Sequence, residues 1–420
     1  MHHVKYALCI NNDCGHKEEP KPDVTVCPKC GTVLDITYDY DYLRKTVDRD
    51  AIKASKYLSF WRYKRFLPVE VDSMPPPLHV GWTPLYRIKG FLGLDRLYIK
   101  DDGQNPTGSL KDRPSALCVV KAIEAGRDTI ACSSTGNAAS SLAGNAASAG
   151  LKTTIFVPER APKGKLAQLL VFGATVVSVQ GDYQDTFKLS AAAIERWGWY
   201  SRNAAINPFL MEGKKTVAME ICEQMNWRVP DWVAVSVGDG CTLAGVWQGF
   251  YDFYQVGFID KLPRLLSVQA SGCYPINKAV RAGANKCSDI VPMSEDTLAD
   301  SIAVGVPRNG LKAVRAVQAS NGLTIEVTDE EILAAMCELG RSCGVFGEPA
   351  GVAGVAGLKK AVAQGLIGRE ERVAVIITGN GLKDTSNALA AVGEPISSQP
   401  DINSLLKEFA KHNIGDIAKS

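Results

Sequence analysis

The chain has 420 residues, 46% of them hydrophobic and 22% charged, which suits about two to four packed units and is too apolar for a disordered chain. Lys and Arg number 47 against 45 Asp and Glu, a formal net charge of +2, so no electrostatic argument exists for a nucleic-acid or membrane-surface partner. The five histidines, His2, His3, His16, His79 and His412, all lie away from the Gly-, Ser- and Thr-rich motifs below, so a His-centred triad is not the expected engine. Met1 to Gly15 carries charge, Asn and Cys where a secretory leader would be apolar. The longest uncharged run, Thr129–Leu151, is rich in Ser, Thr, Asn, Gly and Ala, and reads as strand, polar loop and small-residue helix rather than a membrane span. A cytoplasmic protein is expected, whose 12 cysteines are thiols or metal ligands.

In chain order, the first feature is Cys9-x4-Cys14-x12-Cys27-x2-Cys30, which makes 1–36 a zinc-ribbon-like segment. Two close cysteine pairs suit a tetrahedral structural zinc, and four thiolates leave no open position for a catalytic one. His16 ranks below the cysteines as a ligand; a metal-free ribbon or four ordinary thiols are the alternatives. Residues 37–80 read as a linker with a helix around Tyr42–Trp61, ending at Pro75-Pro76-Pro77. From about Trp82 short apolar runs recur: Thr129–Cys132, Thr154–Val157, Thr175–Val179, Val233–Val237, Leu265–Val268 and Val373–Thr378. Helical stretches lie among them: Lys163–Phe172, Asp185–Trp197, Glu212–Met225, Leu243–Val256, Asp329–Leu339 and Gly351–Gln364. Continuous apolar strands alternating with helices predict α/β units with parallel sheets covered on both faces. Ser404–Ala410 reads as a last helix in a 401–420 tail.

Five segments concentrate Gly, Ser, Thr and Asn, mostly where strands meet helices and N–H groups point at anions. Asn105-Pro106-Thr107-Gly108-Ser109-Leu110-Lys111-Asp112-Arg113 puts Lys111 at a helix start, where the dipole and burial both lower an ammonium pKa toward a nucleophilic amine. Ser133-Ser134-Thr135-Gly136-Asn137 opens another helix and offers hydroxyls and amides to a carboxylate. Gly238-Asp239-Gly240-Cys241-Thr242 follows a strand and allows close approach of a phosphate, without the Lys of a P-loop. Thr378-Gly379-Asn380-Gly381-Leu382-Lys383-Asp384 and Glu212-Gly213-Lys214-Lys215-Thr216 complete the set.

The segments at Asn105–Arg113, Ser134–Asn137, Glu212–Thr216 and Thr378–Asp384, in that chain order, resemble the threonine synthase branch of the fold-type-II pyridoxal-phosphate-dependent enzymes, over about Gly81 to Ala390. The resemblance implies two open α/β domains with pyridoxal phosphate in the cleft between them. The catalytic core would be 81–400, with a smaller mobile domain of about 115–210 inserted in the larger. It implies that Lys111 forms the Schiff base and shuttles protons, and that Asn137 bonds the cofactor's ring hydroxyl. Ser134, Thr135, Gly136 and Asn137 would grip the substrate carboxylate. Gly238, Asp239, Gly240, Cys241 and Thr242 would hold the cofactor phosphate, and Thr378 would face the ring nitrogen. A neutral Thr there leans the chemistry toward elimination and replacement rather than transamination. A homodimer is also implied.

The implied reaction is that of a lyase converting O-phosphohomoserine and water to threonine and phosphate. The sequence departs from the family where the leaving phosphate is expected to bind. Ala204 and Leu210 stand in place of an Asn and an Arg in an Asn-x-x-Asn-Pro-x-Arg pattern, although Asn207 is kept. The cofactor-phosphate loop departs as well, since Asp239 there would repel a phosphate unless it points away. Arg113 and Lys165 are the expected substitutes at the substrate anion, with Arg160, Lys163, Lys214 and Lys215 also available. The departures keep β-elimination or β-replacement on serine, threonine or phosphoserine open, and a non-catalytic cofactor-binding protein as a third reading.

Overall fold

The computed structural model describes residues 1–159, 163–181, 183–412 and 414. Its largest sheet has six strands in the order Leu323–Val327, Arg264–Ala270, Trp232–Ser236, Arg372–Ile377, Arg96–Asp101 and Leu85–Ile88. All neighbours are parallel except the last pair. A second, four-stranded parallel sheet runs Thr175–Val179, Lys152–Pro158, Thr129–Ser133 and Tyr200–Ser201. In sequence it falls between two strands of the larger sheet. Central strands such as Trp232–Ser236 and Thr129–Ser133 are buried at every residue, as strands covered by helices on both faces must be. Edge strand Leu85–Ile88 is partly exposed and carries no continuous apolar run.

The expected strands and helices are present to within a few residues, with two exceptions. The single helix expected around Tyr42–Trp61 is replaced by Tyr40–Thr46, Arg49–Lys53 and a 3-10 turn at Phe60–Phe66. The cause is capping: Asp39 and Asp48 each accept an amide hydrogen bond that starts a new helix. The stretch Glu212–Met225 is two helices, Phe209–Lys214 and Thr216–Gln224. No described helix is long and apolar enough to cross a membrane.

The N-terminal segment folds as a three-stranded antiparallel sheet of Lys17–Glu18, Val4–Cys9 and Leu34–Tyr38. Its buried residues, among them Ala7, Leu34 and Ile36, join the same apolar cluster as Phe250 and Phe253 of the larger sheet's helical cover. The ribbon is therefore docked on the helical cover of the larger sheet.

Candidate active site

Lys111 stands where a loop enters the helix Asp112–Glu124. The loop is tied down on both sides. Thr107 donates its amide and hydroxyl to Asp112 at 2.8 and 2.9 Å. The Leu110 amide donates to the Thr378 carbonyl at 2.8 Å, and the Asn380 amide to the Gly108 carbonyl at 2.9 Å. These bonds fix Lys111 beside the end of the strand Arg372–Ile377.

Lys111 is half-buried on the wall of a cavity of about 800 Å³. The lining comes from carboxyl ends of strands in both sheets: Ser133 to Asn137, Arg202 and Asn203, Gly238 to Thr242, and Thr378. Ligands bind at this position in open α/β sheets. Burial, followed by the charges of Lys214 and Arg202, brings the Lys111 ammonium down from 10.5 to about 7, while Cys241 and Glu348 oppose the shift. A large fraction of this amine is therefore neutral at physiological pH, ready to attack a carbonyl carbon.

The glycine loop is built for close approach. At Gly238 a Cβ would lie 2.9 Å from Ile302 Cα. At Gly240 the backbone has φ +92, and a Cβ would lie 2.8 Å from the Asn309 carbonyl oxygen. Gly240 starts the 15-residue helix Cys241–Gln255 without any side-chain cap, so its first amides are left for an anion. Asp239 does not oppose this. It accepts hydrogen bonds from the Arg308 amide at 2.8 Å, the Asn309 amide at 3.3 Å and Asn309 Nδ2 at 2.6 Å.

The wall beside Lys111 holds unsatisfied donors. Arg202 is 2% exposed; its Nε donates to Ser115 Oγ at 3.1 Å, but Nη2 has no partner. Burial pushes this guanidinium below its ordinary value. Ser133 Oγ and Asn203 Nδ2 are also buried without partners. Since buried polar groups are ordinarily hydrogen-bonded, a cluster of three points to a ligand. Glu348 completes the cavity. Its carboxyl is raised to about 7, chiefly by burial and then by Asp300, and it accepts from Asn137 Nδ2 at 2.7 Å.

An amine prepared for imine chemistry, an uncapped helix above a glycine loop and a neutral Thr378 hydroxyl fit a pyridine aldehyde carrying a phosphate. Comparison with known proteins agrees: the family described as pyridoxal-phosphate dependent enzyme matches residues 77–379. The chain belongs to that family. Threonine synthase of Methanocaldococcus jannaschii is 40% identical over 408 residues, covering 96% of this chain and 98% of that protein. Threonine synthase of Methanosarcina acetivorans is 38% identical over 410 residues, with 96% and 98% covered. That of Mycobacterium tuberculosis is 37% identical over 331 residues, with 78% and 89% covered. Processed threonine deaminase isoform 2 from Solanum lycopersicum shares the fold, with a TM-score of 0.65 at 20% identity, covering 82% of this chain and 94% of that one.

Within this pyridoxal-phosphate-dependent enzyme, the residues expected from sequence divide into two sets. Lys111, Ser134, Thr135, Gly136, Asn137, Gly238, Asp239, Gly240, Cys241, Thr242 and Thr378 all line the cavity. Arg113 does not, and its expected role at the substrate is corrected. It is fully buried, with Nε and Nη2 on Asp102 at 2.7 and 2.8 Å and Nη1 and Nη2 on Glu220 at 2.5 and 2.8 Å. Helical residues turn by about 100° each, so two positions after Lys111 the side chain leaves on the opposite side. Asn207 is corrected likewise. Its Nδ2 donates to the Ser201 carbonyl at 2.9 Å and its Oδ1 accepts from the Phe209 amide at 3.0 Å, which holds a turn. The side chains of Lys163 and Lys165, and all of Arg160, lie outside the described residues.

The Glu212-Gly213-Lys214-Lys215-Thr216 motif serves mainly structure. Lys215 is buried between Glu212 at 2.6 Å and Asp252 at 2.7 Å, leaving Lys214 as the motif's contribution to the cavity. Sequence reasoning missed Arg202 and Glu348. The position of Arg202, directly after the strand Tyr200–Ser201, was the available signal. Glu348 had none, because a Glu before Pro349 reads as a helix start.

Proposed function

We propose that the enzyme is a threonine synthase-like lyase that takes O-phosphohomoserine and water to threonine and phosphate. The observation that carries this reading is the Lys111 amine, flanked by two further cations in a cavity with free anion donors, in a chain whose curated relatives are threonine synthases. When bound, pyridoxal phosphate supplies an electron sink conjugated to the substrate's α-carbon. Gly238 to Thr242 would hold its phosphate, Asn137 its ring hydroxyl and Thr378 its ring nitrogen. Ser134 to Asn137, at the start of the helix Asn137–Ser148, would bind the substrate carboxylate through amides and hydroxyls.

Lys111 would then act as the base that removes the α-proton and as carrier of later protons. Net, the bond from Cγ to the phosphate oxygen breaks, water adds at Cβ, and a proton moves from Cβ to Cγ. Arg202 Nη2 and Lys214 would hold the leaving phosphate in place of the Arg missing at Leu210, which is itself fully buried. Closure of the unit at about 115–210 over the cavity would exclude water from the early steps. The assembly proposed is a cytoplasmic homodimer. Steady orthophosphate release from O-phosphohomoserine by cofactor-loaded enzyme tests the reading, and no release would remove it.

A second reading keeps the cofactor and changes the substrate. Ala204 stands at the expected leaving-group site and Asp239 in the adjoining cofactor-phosphate loop, and the Ala204 carbonyl and the Asp239 carboxylate are both bound by Asn309. β-Elimination or β-replacement on serine, threonine or phosphoserine would need no γ-phosphate site. Turnover of one of these with none of O-phosphohomoserine would establish it. A non-catalytic protein would have no use for the depressed Lys111, and any turnover excludes that third reading.

A further inference from the structure

The four N-terminal cysteines are brought together by the fold. Cys9, Cys14, Cys27 and Cys30 place their sulfurs within 4.8 Å of one another, with Cys9 to Cys30 at 3.4 Å and Cys14 to Cys27 at 3.8 Å. A tetrahedral zinc with Zn–S bonds of about 2.3 Å requires sulfur–sulfur edges of about 3.8 Å. His16 is turned elsewhere, toward Glu18 at 3.6 Å, so the donor set is four thiolates.

The ribbon that carries this cluster does not hang free. Lys312 Nζ donates to the Leu34 carbonyl at 2.6 Å and pairs with Asp35 at 2.6 Å. Arg315 donates to the Ile10 carbonyl at 2.8 Å, and Ile10 and Val33 pack on Leu311. Lys312, Arg315 and Leu311 share the helix Gly310–Ala319. The residue that precedes this helix is Asn309, whose side chain donates to Asp239 and to the Ala204 carbonyl, and whose carbonyl backs Gly240. One helix thus touches the ribbon along its side and the glycine loop at its start.

We infer that Cys9, Cys14, Cys27 and Cys30 bind one zinc ion, and that the zinc-held ribbon acts as a strut positioning the cofactor-phosphate loop through the helix Gly310–Ala319. The metal replaces the thiol protons and cross-links a ribbon that includes a strand of only two residues. Lys312 and Arg315 then clamp the helix to a rigid surface, and Asn309 passes that constraint to Asp239. The inference holds whichever amino acid the enzyme consumes.

The test uses the full-length holoenzyme. Metal analysis should give one zinc per chain, and cobalt(II) substitution should give the visible bands of a tetrahedral tetrathiolate. Disulfides or substoichiometric metal in freshly reduced protein would overturn the site. Stripping zinc with a thiol reagent and chelator, then restoring thiols without metal, should speed amide exchange in 310–319 and 238–242. It should also weaken pyridoxal phosphate binding about tenfold. Because a Cys27→Ser chain could fail to fold, Lys312→Met provides the second arm: zinc retained, exchange at 238–242 raised, cofactor affinity reduced. Unchanged exchange and affinity in both the stripped enzyme and Lys312→Met would overturn the strut.

Discussion

Two clusters of buried charge lie on either side of the same helix start. Arg113, Asp102, Glu220 and Lys100 form a closed network: the Arg113 fork is filled by two carboxylates, and Lys100 meets Glu220 at 2.6 Å. Around Lys111 the balance is different. Lys214 and Arg202 add positive charge beside a third cation, and Arg202 Nη2 is left without a partner. In the first cluster opposite charges hold Glu220 down to about 2; in the second, burial and then like charges hold Lys111 down to about 7. Buried charge by itself does not mark a site. A buried charge that its neighbours leave unsatisfied does.

Lys111→Ala breaks the comparison at its functional end. Turnover should fall by about 10³-fold or more, with the denaturation midpoint preserved; a variant with near-normal turnover would displace Lys111 from the chemistry. Arg113→Met breaks it at the structural end. Removing one partner strands Asp102 and Glu220, so chemical denaturation should show a loss of about 3–5 kcal/mol. A stable Arg113→Met enzyme with a raised KM would return this arginine to the substrate.

Arg202→Gln sharpens the contrast. It should raise KM for a phosphorylated substrate by about 10- to 100-fold, the scale of a lost charge-assisted hydrogen bond, while costing less stability than Arg113→Met. Equal effects on phosphorylated and unphosphorylated substrates would contradict its place at the leaving group. The smallest effect is expected of Lys214→Met. Cofactor uptake by apoenzyme needs the neutral amine, so its rate should drop as pH falls through about 7. With the repelling Lys214 charge gone, the Lys111 ammonium is easier to keep, and the midpoint should move to higher pH. An unmoved midpoint would show that burial without Lys214 sets the amine.

The parallel sheets were legible because central strands such as Val233–Val237 and Val373–Thr378 are unbroken apolar runs. The ribbon's short strands and the edge strand Leu85–Ile88 were not, since docking and pairing rather than composition decide them. Motif residues were legible where the backbone fixes their place at the cavity, as at Lys111 and Gly240. Arg113 was placed at the substrate and Arg202 was missed, because sequence proximity to Lys111 says little about which way the Arg113 side chain leaves its helix, and Arg202 lies 91 positions away from Lys111. Glu348, 211 positions from its partner Asn137, is joined to the cavity only by folding.

The central claim is that the Lys111 amine carries the cofactor. Reducing the holoenzyme with borohydride, digesting it and mapping peptides by mass should place a single pyridoxyl group on Lys111. A pyridoxyl group on Lys214 or another lysine, or on none, would contradict the account.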